Sequence, residues 1–358
     1  GFKSGKEDPI VCVYTSAGGR NKWSDKKKFT QSLSYSNDRG RTFTKYRNNP
    51  VQKNIEYINR DPKVIWHEPS NRWVIVLHFN DRAMGFFTSK DLKTWEFQSE
   101  FESKELIDCP ELFQLPVDGD QKNEKWILYG GSGDYLIGEF DGKKFIPETD
   151  LIQYSYGNCF YASQTFNNVP ESDGRRIQMG WGTIDTPGMS FNQILLFPVN
   201  LTLHSTEEGL RMYANPVKEI QKLHKKDHQW GEYVIQPGVT DLPNVDGELF
   251  DINAEFETGD SEKFGIIING QKIGYNTNSN KLTTEDTEAL LKPRDRKISL
   301  RILVDRVSLE IYANDGKIYM PIRANYNNSK NGIKLFTKGK EIKISSLIIH
   351  ELKSIWKK

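Results

Sequence analysis

The chain has 358 residues, enough for two domains with substantial cores, and its 49 Lys and Arg against 48 Asp and Glu leave a net charge of +1. That balance excludes the concentrated basic face that nucleic acid requires, and the longest apolar runs, such as Gln193–Phe197, are far too short to cross a bilayer. Aromatic residues, at 12%, suit a β-rich architecture and supply flat rings on which sugars stack.

Strand signals begin early and dominate. Ser36-Asn37-Asp38-Arg39-Gly40-Arg41-Thr42-Phe43 reads as a polar turn followed by an aromatic strand. Arg60-Asp61-Pro62-Lys63-Val64-Ile65-Trp66 then leads into Trp73–Phe79, a β-branched and aromatic run bounded by turn residues. Ser89-Lys90-Asp91-Leu92-Lys93-Thr94-Trp95 repeats the first turn. Asp108-Cys109-Pro110-Glu111-Leu112-Phe113 and the strand Lys125–Tyr129 follow, and Phe140-Asp141-Gly142-Lys143-Lys144-Phe145 is a degenerate third copy of the turn. The three aspartates lie about fifty residues apart, the blade period of a β-propeller. Each Asp is expected to organise its turn by accepting backbone N–H bonds, and each aromatic to be buried against the next blade. Ile177–Trp181 is a further strand of the same kind.

Helical periodicity is nearly absent. The best candidate runs from Pro216 to His224, with Asn215 as N-cap and Pro216 at the first helical position. Lys218–His228, rich in Lys and His, reads as a linker. Beyond it Phe250–Phe256, Phe264–Ile268, Ile298–Val304 and Ser308–Tyr312 alternate cleanly between turns such as Asn314-Asp315-Gly316, the pattern of a β-sandwich. The predicted organisation is therefore all-β, with a β-propeller over 1–222 and a C-terminal β-sandwich over 230–358. At about fifty residues per blade, the first part holds about four blades.

Cys12, Cys109 and Cys159 are an odd count without metal spacing, so no disulfide framework is expected, and a single Cys109–Cys159 bridge is left open without support. His67, His78, His204, His224, His228 and His350 are scattered, and they are read as structural or exposed rather than as metal ligands. No phosphate-binding glycine loop or Ser-His-Asp order stands out, and neither a metal nor a cofactor is expected. The sequence opens Gly-Phe-Lys with no signal peptide, which reads as a processed or trimmed product or an added Gly1.

The blocks at Arg60–Trp66 and Asp108–Phe113 resemble two of the three acidic signatures of glycoside hydrolase family 32, the invertase, inulinase and levanase group. The resemblance extends over nearly the whole chain. Ser34–Val51, Phe160–Phe166, Gly180-Trp181-Gly182 and Phe197–Leu203 are similar to its propeller segments. Gly209–Ile220 is similar to the entry into its sandwich, and Val304–Gly316 to the sandwich's own motif. The family has a five-bladed propeller followed by a β-sandwich. The third signature, of the Trp-Met-Asn-Asp-Pro-Asn-Gly type that carries the nucleophile, does not occur in these residues. The resemblance thus implies a propeller whose first blade is largely missing, with a missing N-terminal segment or an oligomer partner at the open edge.

Residue roles follow from the resemblance. Asp108 stands at the acid/base position, normally a Glu, and Asp61 at the transition-state stabiliser. Arg60, Glu111, Trp66, Tyr161 and Trp181 are implied substrate contacts. Asn158-Cys159 replaces the Pro-Asp found in many relatives. The implied activity is hydrolysis of levan, inulin or sucrose by a retaining β-fructosidase, and the implied location is extracytoplasmic, periplasmic or secreted. The implied partner is a fructan or fructo-oligosaccharide. The missing nucleophile motif and the shorter acid at Asp108 leave an alternative, a non-catalytic fructan-binding pseudoenzyme.

Overall fold

Among the described residues, local turn chemistry shapes the sheets, and period-two alternation marks sandwich strands such as Phe250–Glu257 and Lys297–Val304. The computed structural model describes residues 8–56, 58–106, 108–245, 247–326 and 332–356. Contacts divide the chain into two units, Gly1–Gln153 with Ala162–Asn167, and Tyr154–Tyr161 with Asn168–Lys358.

In the first unit, β1 (Ile10–Ser16), β2 (Thr30–Ser36) and β3 (Thr44–Lys45) form a three-stranded antiparallel meander. A four-stranded meander follows, of β4 (Arg60–His67), β5 (Arg72–Asn80), β6 (Ala83–Ser89) and β7 (Glu96–Glu102). A third is built from β8 (Glu111–Val117), β9 (Asp120–Tyr129), β10 (Tyr135–Phe140) and β11 (Phe145–Pro147). Such successive up-and-down strands are propeller blades. Val74, Phe86, Leu112, Leu128 and Phe140 make one buried cluster between the second and third.

The repeated aspartates close the turn before the last strand of each blade. Asp38 accepts from the Thr42 N–H at 2.8 Å and hydroxyl at 2.6 Å. Asp91 accepts from the N–H groups of Lys93 and Thr94, and Asp141 from those of Lys143 and Lys144. These bonds hold all three carboxyls below the usual carboxylate range. Gly142 has φ +90°, and a Cβ there would meet His67 Nδ1 at 2.6 Å, so the third turn admits only glycine. The aromatics differ from expectation. Phe145 is buried against Phe101 of the neighbouring blade, whereas Phe43 is 46% exposed.

β12 (Phe160–Thr165) begins in the second unit and ends in the first. The second unit continues with β13 (Arg176–Gly182), β14 (Ile194–Leu195), β15 (Val199–Thr206) and β16 (Gly209–Pro216), paired antiparallel as β14-β13-β15-β16. Lys218–Leu223 is then a 3₁₀ turn with Val217 at its N-cap and no side-chain cap. The predicted helix is thus shorter than expected, because Pro216 is still paired with Val199 in β16. The expected linker is also a strand, since β17 (His224–Trp230) pairs with the last strand of the chain.

The remaining strands are β18 (Tyr233–Ile235), β19 (Gly238–Asp241), β20 (Phe250–Glu257), β21 (Lys263–Ile268), β22 (Gln271–Asn276), β23 (Lys281–Thr283) and β24 (Glu288–Leu290). They continue as β25 (Lys297–Val304), β26 (Ser308–Ala313), β27 (Ile318–Arg323), β28 (Ile333–Lys338) and β29 (Ile342–Leu352). One sheet has seven strands, β17-β29-β20-β25-β26-β27 with β18 also on β29, and the other has six, β19-β28-β21-β22-β23-β24. Ile252, Phe256, Phe264, Ile302, Ile311 and Leu335 interdigitate in one core, as in a sandwich. The fold class is the expected one, propeller blades followed by a β-sandwich. No helix among the described residues is long and apolar enough to cross a membrane.

The outer face of the seven-stranded sheet buries a carboxyl. Glu310 accepts from the Phe197 N–H at 2.8 Å, Tyr312 Oη at 2.7 Å and Tyr319 Oη at 2.9 Å. Burial nevertheless pushes its pKa up from 4.5 to about 7. The native state therefore binds this proton more tightly than the unfolded chain. Its contribution to stability is full below pH 4.5 and is lost as pH rises toward about 7. The expected slope is up to about 1.4 kcal/mol per pH unit. Urea unfolding of wild type and Glu310→Gln across that window checks it, with the dependence flattened in the variant.

Candidate functional site

The candidate site lies where the first strands of successive blades begin. β4 pairs with β5 at Arg60↔His78, then shifts register before Lys63↔Val76. The shift is a bulge at Asp61 and Pro62, a place where proline's missing N–H breaks no ladder bond. Asp61 sits there at φ 60°, and its N–H donates to Thr15 Oγ1 of β1 at 2.9 Å. Just before β8, Asp108 and Cys109 have φ 62° and 39°. The Asp108 N–H donates to His78 Nδ1 at 3.2 Å, and its carbonyl accepts from the Gly131 N–H at 2.9 Å. Gly131 in turn accepts from the N–H of Ala162 in β12, itself at φ 44°. Each such residue costs on the order of 1–3 kcal/mol and persists only where its surroundings fix it.

Asp61 and Asp108 thereby converge. One carboxylate oxygen from each and the Cys109 sulfur all lie within 4.8 Å of one another. Arg60 joins the two acids, with Nη2 at 2.5 Å from Asp108 Oδ1 and Nε at 3.3 Å from Asp61 Oδ2. Side-chain exposures of 21%, 31% and 24% for Arg60, Asp61 and Asp108 leave the cluster reachable from solvent. Burial raises the Asp61 pKa above 3.8, Arg60 opposes the rise, and Asp108 adds to it. Burial, reinforced by the two carboxylates, pushes the Cys109 thiol up to about 12, so it stays protonated. A protonated thiol, with a guanidinium ion-paired to both acids, is a poor donor set for a metal ion.

Glu111, expected to touch substrate, is instead fully enclosed at the start of β8. Lys63 Nζ lies 2.8 Å from its Oε1, and Thr165 Oγ1 donates to its Oε2 at 2.7 Å. Lys63 also donates to the Thr165 carbonyl at 2.8 Å. This buried trio ties β4, β8 and β12 together. Glu111 therefore supports the site and has no surface to offer a sugar.

Trp66 stands apart from the two acids. It lies in the strand of Asp61 but five positions further on, roughly 16 Å away at strand rise. It packs edge-on against Trp73 with centroids 5.1 Å apart and donates to Glu68. One sugar ring cannot touch both Trp66 and Asp61. Tyr161 and Trp181 belong to the second unit, where they meet edge-to-face at 6.1 Å, with Trp181 40% exposed. Asn158 Oδ1 there accepts from the Arg323 N–H at 3.0 Å. All three cysteines are free.

Sequence reasoning missed His78, Lys63, Thr165 and Thr15. His78 is buried, and its pKa is lowered chiefly by that burial and then by Arg60. As a neutral ring accepting at Nδ1, it carries its proton on Nε2. The only signal for it was a polar residue inside the apolar run Trp73–Phe79.

Comparison with known proteins supplies the context. The model of the glycosyl hydrolases family 32 N-terminal domain matches residues 2–216, and that of the family 32 C terminal matches residues 219–351. The levanase of Bacillus subtilis (strain 168) is 35% identical over 99% of this chain, which spans 58% of that protein's length. Among solved structures, the exo-inulinase from Aspergillus awamori superposes with a TM-score of 0.86 at 22% identity, covering 99% of this chain and 81% of that one. The fructofuranosidase from Schwanniomyces occidentalis complexed with fructose gives 0.82 at 26% identity, covering 96% of this chain and 79% of the other.

Proposed function

Because this chain belongs to glycosyl hydrolase family 32, we propose that Asp61, Arg60 and Asp108 are the fructosyl-binding and proton-transfer groups of a retaining β-fructosidase site for levan, inulin or sucrose. The observation that carries this reading is the convergence of two motif carboxylates within 4.8 Å, joined by Arg60. A retaining site sets an acid/base about 5–5.5 Å from a nucleophile. Asp108 fills the first role, protonating the leaving oxygen and later activating water. Asp61 accepts hydrogen bonds from sugar hydroxyls and strengthens them as positive charge develops at the anomeric carbon. Arg60 fixes the orientation of both. The nucleophile is a further carboxylate, in a motif these 358 residues do not contain. The extracellular exo-inulinase among its relatives supports a location outside the cytoplasm, periplasmic or secreted.

One observation favours a second reading, fructan binding without cleavage. Asp108 is one methylene shorter than the usual Glu, and an error of about 1 Å at a reacting group costs about a hundredfold.

Both readings require recognition of fructosyl units. Saturation-transfer NMR is expected to show contact with 1-kestose and none with maltotriose. Binding that uses ionised Asp61 weakens as pH falls, beginning above the 3.8 of an ordinary Asp because its pKa is raised. Equal transfer to maltotriose, or none to kestose, would refute the substrate class.

A further inference from the structure

A second convergence of chemistry-bearing side chains lies on the sandwich, in residues the glycosidase reading does not use. The register of β17 against β29 shifts between His224 and Lys226, leaving Lys225 as the extra residue of a bulge. The bulge puts His224 and Asp227, three residues apart, on one face of the sheet. Asp227 stands opposite His350 of β29, which stands opposite Asp251 of β20. One ligand atom from each of His224, Asp227 and His350 lies within 4.8 Å of the others.

The surroundings orient these donors. Asp251 is almost fully buried and is gripped by Arg301, with Nε at 2.9 Å from Oδ1 and Nη2 at 2.8 Å from Oδ2. Its Oδ2 lies 3.2 Å from His224 Nε2. A carboxylate so placed accepts the Nε2 proton and leaves Nδ1 as the ligand atom, the carboxylate–histidine–metal arrangement. His350 Nδ1 lies 2.7 Å from Asp227 Oδ1. Two imidazoles and a carboxylate are the donor set that Zn²⁺ and Cu²⁺ take, with solvent completing the coordination. Asp227 is 64% exposed, which gives that solvent access. The rings of His224 and His350 are stacked, 3.8 Å apart at 14°. Lone pairs of parallel rings do not meet, so one ring must turn to admit an ion. His350 can turn by exchanging its bond to Asp227 for a shared cation, carrying its proton on Nε2.

We propose that His224, Asp227 and His350 form a site for one divalent cation of the Zn²⁺ or Cu²⁺ class, which clamps β17 onto β29. His228 supplies the internal contrast. It pairs with Glu351 at 2.7 Å but, one residue on from Asp227, points to the opposite face.

Calorimetric titration of the metal-stripped full chain with Zn²⁺ is expected to show one saturable site. His350→Gln and the exposed Asp227→Asn are each expected to weaken it at least tenfold, while His228→Gln and Asp61→Asn leave it unchanged. Cu²⁺ in the same protein is expected to give an EPR spectrum with two coordinated nitrogens, reduced to one in His350→Gln. Absence of saturable Zn²⁺ binding would overturn the proposal. So would binding that survives Asp227→Asn intact, or that is lost in Asp61→Asn.

Discussion

A polypeptide limited to these 358 residues is expected to release fructose from sucrose, inulin and levan on the order of 10⁴–10⁶ times more slowly than a site with its full set of carboxylates, the cost of removing one member of a cooperating set. Asp108 can protonate the leaving oxygen and Asp61 can hold the hydroxyls, but neither is placed by the family motifs as the group that attacks the anomeric carbon. Without that attack no glycosyl-enzyme intermediate forms. A longer polypeptide that adds a carboxylate to this site is expected to recover the rate and to lose it again on Asp108→Ala. Fructose release, followed by a coupled assay on purified protein, measures both. Fast release by the 358 residues alone, abolished by Asp108→Ala, would mean that another carboxylate acts as nucleophile.

Replacing Glu111 by Ala is expected to cost about 3–5 kcal/mol of stability, because it leaves the ammonium of Lys63 buried without its partner. Lys63 is 3% exposed and Glu111 is wholly enclosed, so water cannot replace the lost interaction. Lys63→Met is expected to cost a similar amount. The double variant Lys63→Met with Glu111→Leu is expected to be markedly less destabilised than the sum, since an apolar pair leaves no orphaned charge. Urea denaturation of the three variants reads this directly. A Glu111→Ala cost below about 1 kcal/mol, the range of an exposed pair, would show that the trio does not hold β4, β8 and β12 together.

The parts of the structure that were legible are those set by local chemistry. The Asp-turn of each blade is made within a few residues, as the bonds of Asp38, Asp91 and Asp141 show. The alternation of β25 and β26 needs only the neighbouring core. The convergence of Arg60, Asp61 and Asp108 was legible because two motif blocks carry them. What was not legible depends on partners distant in sequence. Glu111 looks like any strand acid until Lys63 and Thr165, 48 and 54 residues away in the chain, close around it. β17 has a mostly exposed polar sequence, so nothing apolar distinguishes it from a linker until β29 pairs with it. Trp66 shares a strand with Asp61, yet proximity in sequence along an extended strand is distance in space.

The central claim is that fructosyl units are held by Asp61 at the start of β4. Calorimetric titration with sucrose, whose two rings are too short to bridge Asp61 and Trp66, measures this with wild type, Asp61→Asn and Trp66→Ala. Millimolar affinity is expected for wild type, about −4 kcal/mol, because each sugar hydrogen bond replaces one to water. That heat is expected to be lost in Asp61→Asn and fully retained in Trp66→Ala. Heat that persists unchanged in Asp61→Asn, or that disappears in Trp66→Ala, would place the sugar elsewhere and remove Asp61 from its recognition.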